Sequence, residues 1–160
     1  MSDSSTPTAI SATRGERNNN PGNINYVAPP EEAWNGQVGL EIVPTGENYM
    51  PRFGRYDTPE HGIRAMAKQL IIDNTRHGLM TIATIIGDPV WGWAPAADRN
   101  DIDAYAATVV KHSSIPADQP VDLTNPAQLQ ALLPGFITEE NGRCLYAAAT
   151  LSAAVNAALS

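Results

Sequence analysis

Apolar residues recur at helical spacing along most of the chain and alternate in only one short region. Residues 36–57 alternate in places (Val38, Leu40, Ile42; then Phe53 and Tyr56) around the turn-like Pro44-Thr-Gly46. This predicts a small antiparallel hairpin or sheet. Thr58-Pro59-Glu60 then reads as a helix start: a hydroxyl N-cap, proline at the first helical position, and an acid near the positive end of the dipole. Ile63, Met66, Ala67, Leu70 and Ile71 form one apolar face, and His77-Gly78 closes the helix. A short helix over residues 81–86 leads into Gly87-Asp-Pro89 and the loop Trp91-Gly-Trp93-Ala-Pro95. Asn100 is the expected start of the next helix, whose buried stripe is Ile102, Tyr105, Ala106, Val109 and Val110. A helical stretch over residues 126–140 follows, with Pro134-Gly135 placed to kink or split it. An Ala-rich helix over residues 145–159 completes the chain. The predicted class is mainly α with a small β element (α+β), in a single domain spanning residues 14–160.

Composition narrows this picture. The chain has 160 residues, of which 42% are hydrophobic, enough for one domain with a substantial core. Residues 1–13 are Ser/Thr-rich without aromatics and read as a mobile arm. No N-terminal apolar run resembles a signal peptide, and no segment has membrane-spanning length, so membrane insertion is not expected. The net charge of −7 argues against a nucleic-acid partner, which needs clustered Lys and Arg. The single cysteine, Cys144, excludes an internal disulfide and fits synthesis in a reducing cytoplasm.

The segment Arg14-Gly-Glu-Arg-Asn-Asn-Asn-Pro-Gly-Asn-Ile24 fits no ordinary helix or strand. Residues 14–33 therefore read as a shaped loop. Asn18, Asn19, Asn20 and Asn23 tolerate left-handed backbone and hydrogen-bond nearby chain. Their amide side chains supply donors and acceptors together, which suits recognition of sugar hydroxyl and N-acetyl groups. The plainer alternative is a solvated turn. Aromatic rings near loops add to the sugar reading, because pyranose faces stack on them: Tyr26, Trp34, Tyr56, Trp91, Trp93 and Tyr105 are candidates. For each singly, core packing is an equal alternative.

One carboxylate stands out. Leu129, Leu132, Leu133, Phe136 and Ile137 make the apolar face of residues 126–140, and the next position on that face is Glu140; Glu139 falls off it. Desolvation and the negative end of the helix dipole would both raise the Glu140 pKa, as a general acid requires. Against this stands the ordinary fate of a helix-end glutamate, which is to swing into water. Glu60 ranks lower, because a first-turn position favours its ionised form. Glu16, between Arg14 and Arg17, is acceptable as a second or substrate-contacting carboxylate and poor as a proton donor. Asp57 and Glu60 are the remaining candidates for a second carboxylate. His61, His77 and His112 are dispersed without ligand spacing, so neither a metal nor another cofactor is expected. No phosphate loop and no Gly-x-Ser-x-Gly elbow is present.

The Arg-Gly-x-Arg-Asn-Asn-Asn-Pro-Gly-Asn-Ile segment resembles the signature of a family of small phage-encoded proteins that includes endolysins, virion-associated peptidoglycan hydrolases and phage structural proteins. Arg52-Phe-Gly-Arg-Tyr-Asp-Thr-Pro-Glu-His-Gly-Ile-Arg-Ala65, Thr84-Ile-Ile, Trp93-Ala-Pro95, Asn100-Asp101 with Tyr105, and Phe136-Ile-Thr-Glu-Glu-Asn-Gly142 ahead of Tyr146 match in order. The match covers roughly residues 14–146. One departure is Glu16, where the family pattern is apolar. A hydrophobic helix ending in Glu140-Asn-Gly is also similar to the acid-bearing helix of lysozyme-like lytic transglycosylases. In those enzymes that helix precedes the sheet, so the resemblance implies a lysozyme-like fold with circularly permuted elements.

The resemblance implies a peptidoglycan glycosidase, either lytic transglycosylase or muramidase, cleaving the β-1,4 bond between N-acetylmuramic acid and N-acetylglucosamine with Glu140 as acid/base. A single acid/base favours transglycosylation over hydrolysis. The alternative class is a non-catalytic virion structural or wall-binding protein. The implied partner is the glycan strand. Synthesis would occur in the host cytoplasm and action in the cell wall or periplasm, with delivery by a holin or among other virion proteins.

Overall fold

The computed structural model describes residues 11–96 and 101–160. Most of the expected N-terminal arm and the Asn100 helix start lie outside the described residues. Six helices and two strands are described: α1 (Arg14–Arg17), β1 (Gln37–Leu40), β2 (Gly54–Tyr56), α2 (Pro59–Thr75), α3 (Ile82–Gly87), α4 (Ile102–Ser113), α5 (Pro126–Asn141) and α6 (Ala148–Leu159). The protein is mostly helical with one small antiparallel sheet, as the periodicity predicts.

Two local expectations need correction. Residues 14–33 open with a helical turn rather than a continuous loop. Thr13 and Glu16 form a capping box that closes α1, so Thr13 is an anchored cap and not part of a loose arm. The cap of α4 is Asp101, whose side chain accepts from the Ala104 N–H at 3.0 Å. Elsewhere the punctuation reads as expected. Thr58 caps α2 ahead of Pro59, and Thr81 with Thr84 caps α3.

Helix α5 runs unbroken through Pro134. Proline there removes one i→i−4 hydrogen bond, but Gly135 beside it serves the packing. A Cβ on Gly135 would lie 2.6 Å from the Val109 Cα, so glycine is what lets α4 cross this close. The helix survives because tertiary contact with α4 outweighs local propensity. Its face contributes Leu129, Leu132, Leu133, Phe136 and Ile137 to one buried core with Ile63, Met66 and Leu70 of α2, Ile82, Ile85 and Ile86 of α3, Val109 of α4, and Leu151 and Val155 of α6. Asn74, buried on α2, bonds the Leu79 and Val121 carbonyls and the Leu123 N–H, pinning the loop before α5.

The sheet is held from within by Glu41. Its carboxylate accepts from Arg14 Nε at 2.8 Å and Nη2 at 2.6 Å, and from the Arg52 and Phe53 N–H groups at 2.9 and 2.8 Å. Asn18 Nδ2 adds a longer bond at 3.4 Å. The N-terminal turn, β1 and the start of β2 thus converge on one carboxylate. Arg14 and the two backbone donors, outweighing the cost of burial, hold its pKa down to about 2 from 4.5.

A carboxyl group with a depressed folded-state pKa stabilises the fold above its unfolded pKa and loses that contribution as pH falls. Glu41 should therefore supply about 3 kcal/mol at neutral pH, by linkage, vanishing between pH 4.5 and about 2. Urea unfolding of the wild type and Glu41→Gln across this range checks it. The gap between them should close on acidification, and a pH-independent gap would contradict it.

Candidate active site

A cleft of about 870 Å³ brings together Asn23, Tyr26, Trp34, Trp91, Trp93 and Glu140. Its walls come from the 22–27 segment, Trp34, Arg52 and Phe53, the Gln69 and Asp73 turn of α2, the 91–94 loop, and Glu140 of α5. The last turn of α5 delivers Glu140 to this wall, half-buried, because it continues the stripe that buries Phe136 and Ile137.

The Glu140 carboxylate has two direct donors. Tyr105 Oη donates to Oε2 at 2.8 Å, and Asn23 Nδ2 donates to Oε1 at 3.1 Å. Burial is the largest influence on its pKa and raises it; Tyr105, Asn23 and Trp93 oppose that, while the neighbouring Glu139 charge adds to it. The net shift is upward. A carboxyl group so placed keeps its proton at higher pH than usual while its donors fix its orientation. Phe136, one turn earlier on α5, packs edge-on to both Trp93 and Tyr105 with ring centroids 5.5 Å apart in each case. The ring sets both side chains beside the acid. Burial and the Glu140 charge together push the Tyr105 phenol well up, so it remains a hydrogen-bond donor.

The asparagines divide into two groups. Asn23 reaches the acid, and its left-handed backbone (φ 50°) is one that Asn tolerates. Asn18, Asn19 and Asn20 do not line the cleft. Asn18 bonds Glu41, Asn19 bonds the Tyr56 carbonyl at 3.0 Å, and Asn20 bonds the Ile24 and Gly54 carbonyls, each at 2.9 Å. Their expected role in sugar contact is replaced by a structural one. Asn19 and Asn20 satisfy backbone carbonyls around the small sheet, and Asn18 adds to the donors on Glu41. Tyr56 is likewise a core residue, 2% exposed.

Neither Glu60 nor Asp57 lines the cleft. Glu60 is exposed at the start of α2, and Asp57 pairs with His61 at 2.6 Å on the surface. Glu16 is bound by Arg143 at 2.7 and 3.0 Å, which holds its pKa down. The cation responsible is thus Arg143 and not the flanking arginines. The second carboxylate in the cleft is one that sequence reasoning missed, Asp73. Gln69 Nε2 and His77 Nδ1 lie 3.0 and 3.2 Å from its Oδ1. His77 in turn stacks on Trp91, with centroids 3.8 Å apart and planes within 12°. A signal was present: Asp73 extends the Met66–Leu70 stripe of α2 just as Glu140 extends that of α5. Among the described residues no cluster of His, Cys, Asp and Glu is arranged to hold a metal, and no helix is long and apolar enough to cross a membrane.

The fold and site define a mainly helical protein whose two principal helices each present a carboxylate to an aromatic-lined cleft. The chain is 38% identical over 138 residues to Protein P5 of Pseudoalteromonas phage PM2, an alignment covering 85% of this chain and 76% of that protein. It belongs to the family of that phage protein. No family model matches the sequence.

The two donors favour the ionised form of Glu140, so removing either should raise its pKa further. A carboxyl-carbon NMR titration should show Tyr105→Phe moving the Glu140 midpoint upward, because a hydrogen bond that favours the ionised form is lost. A downward shift would contradict the assigned geometry.

Proposed function

We propose that this cleft is the active site of a peptidoglycan glycosidase with a lysozyme-like, circularly permuted arrangement of elements. It acts on the β-1,4 bond between N-acetylmuramic acid and N-acetylglucosamine. The observation that carries the reading is the half-buried Glu140, raised in pKa and aimed by Tyr105 and Asn23 at the wall of a long cleft. A proton donor that works near neutral pH needs such a site.

The cleft's lining supports a saccharide as substrate. Tyr26, Trp34, Trp91 and Trp93 offer flat apolar faces for pyranose rings, and Asn25, Gln69 and Arg52 offer polar groups around them. Arg52 also provides a cation where the carboxylates of peptide-bearing sugars would pass. The relative is a phage protein, and on this reading the chain acts on the host's bacterial envelope, in the wall or periplasm, as an endolysin or a virion-associated protein. In the proposed reaction Glu140 protonates the leaving glycosidic oxygen. The second half is lytic transglycosylation or muramidase hydrolysis, according to whether the sugar's own 6-hydroxyl or a water attacks C1.

Loss of the proton donor should cost at least about 100-fold in rate. Purified protein should release soluble muropeptides from peptidoglycan, and Glu140→Gln should release them at a rate reduced by that factor or more. Equal release by the two would refute the assignment of the acid. Retained binding to sacculi without release by either would point instead to a wall-binding or structural virion protein.

A further inference from the structure

Asp73 has no part in the reaction as far as it has been described, yet it lines the same cleft as Glu140. It sits at 2% exposure in the last turn of α2. Both of its hydrogen bonds, from Gln69 and His77, fall on Oδ1. Among the described residues none bonds Oδ2, and Asp73 is one of the residues that line the cleft. A structural carboxylate buried this deeply would be expected to have its bonds shared over both oxygens, as Glu41 does.

The positioning is specific. Gln69 and Asp73 are four apart on α2 and so share one face of the helix, and His77, in the turn just past its C-terminus, folds back onto Asp73. The Trp91 ring stacks on the His77 ring, fixing the imidazole from outside. Trp91 and Gln69 both line the cleft as well. The result is a carboxylate in the cleft lining whose first oxygen is clamped and whose second carries no hydrogen bond among the described residues. Burial raises its pKa against the opposing effects of Gln69 and His77, a direction that strengthens a base.

We propose that Asp73 is the second functional carboxylate of the cleft, the base that deprotonates a water attacking the sugar, so that the enzyme is a muramidase. This rests on the glycosidase reading and specifies its outcome. The glycosidic C1–O4 bond breaks as Glu140 gives its proton to O4 of the leaving sugar. A C1–O bond forms with the water oxygen, and the water proton passes to Asp73. One water is consumed for each bond cut, and exchange with solvent returns both carboxyl groups to their starting states. The product is a reducing sugar and not a 1,6-anhydro sugar.

The wild-type protein supplies the first test, with peptidoglycan digested in ¹⁸O-labelled water and the muropeptides analysed by mass. Incorporation of one ¹⁸O at each new reducing end is expected. Anhydro products without label would overturn the role of Asp73 and leave the glycosidase reading standing; absence of any turnover would overturn both. The second test is Asp73→Ala, expected to slow hydrolysis at least 100-fold, with azide restoring turnover and appearing in the product as a glycosyl azide. A merely structural role would give no such rescue. An unchanged rate, or a slowed one that azide does not restore in a variant that keeps the wild-type circular dichroism spectrum, would contradict the proposal. If the alanine variant does not fold, Asp73→Asn takes its place, with loss of hydrolysis expected and full activity contradicting the base.

Discussion

The cleft exists because the asparagine-rich N-terminal segment is fastened to the far end of α5. Asn141, the last residue of that helix, donates from Nδ2 to the Pro21 carbonyl at 2.8 Å and to the Ile137 carbonyl at 3.0 Å. Its Oδ1 accepts from Thr13 Oγ1 at 2.7 Å. Arg143 to Glu16 reinforces the same junction. Residues more than a hundred positions apart in sequence are thereby joined, and the approach leaves no room for side chains. A Cβ on Gly15 would run into Asn141, and one on Gly62 would run into the Asn19 backbone. The consequence for chemistry is direct: with the segment docked, Asn23 reaches the Glu140 carboxylate.

Two glutamates show how environment divides roles within one fold. Glu41 meets a guanidinium and two backbone N–H groups, and its pKa falls to about 2. Glu140 meets a phenol and an amide, neither of them charged, so the effect of burial prevails and its pKa rises. The first stabilises the folded state at neutral pH. The second is a cost there, since an ionised carboxylate is less well solvated at this site than in the unfolded chain. Such a cost is what a group that must hold or exchange a proton carries, and this is the ground for the role proposed for Glu140.

Much of this was legible from the sequence, for reasons that can be located. Helix starts at Thr58 and Thr81 are local events, so hydroxyl caps and hydrophobic spacing reveal them. Glu140 was legible because it closes an apolar stripe, and the stripe of α5 survives the Pro134-Gly135 pair. The partners of Asn19 and Asn20 were not legible, because the Tyr56 and Gly54 carbonyls they bond lie more than thirty residues away. Tertiary pairing decides which asparagine reaches Glu140 and which bonds the backbone. Asp73 was missed because polar residues near the end of a helix are commonplace. Its meaning appears only when α2 and α5 are set around one cavity.

The proposed glycosidase activity requires Glu140 to stand next to the scissile glycosidic bond. The most direct measurement is a crystal structure of Glu140→Gln soaked with a peptidoglycan tetrasaccharide. The account predicts sugar rings lying along Trp91 and Trp93, with a muramyl glycosidic oxygen within hydrogen-bonding distance of the side chain at position 140. A saccharide bound on another face of the molecule, with the cleft filled only by water, would contradict it.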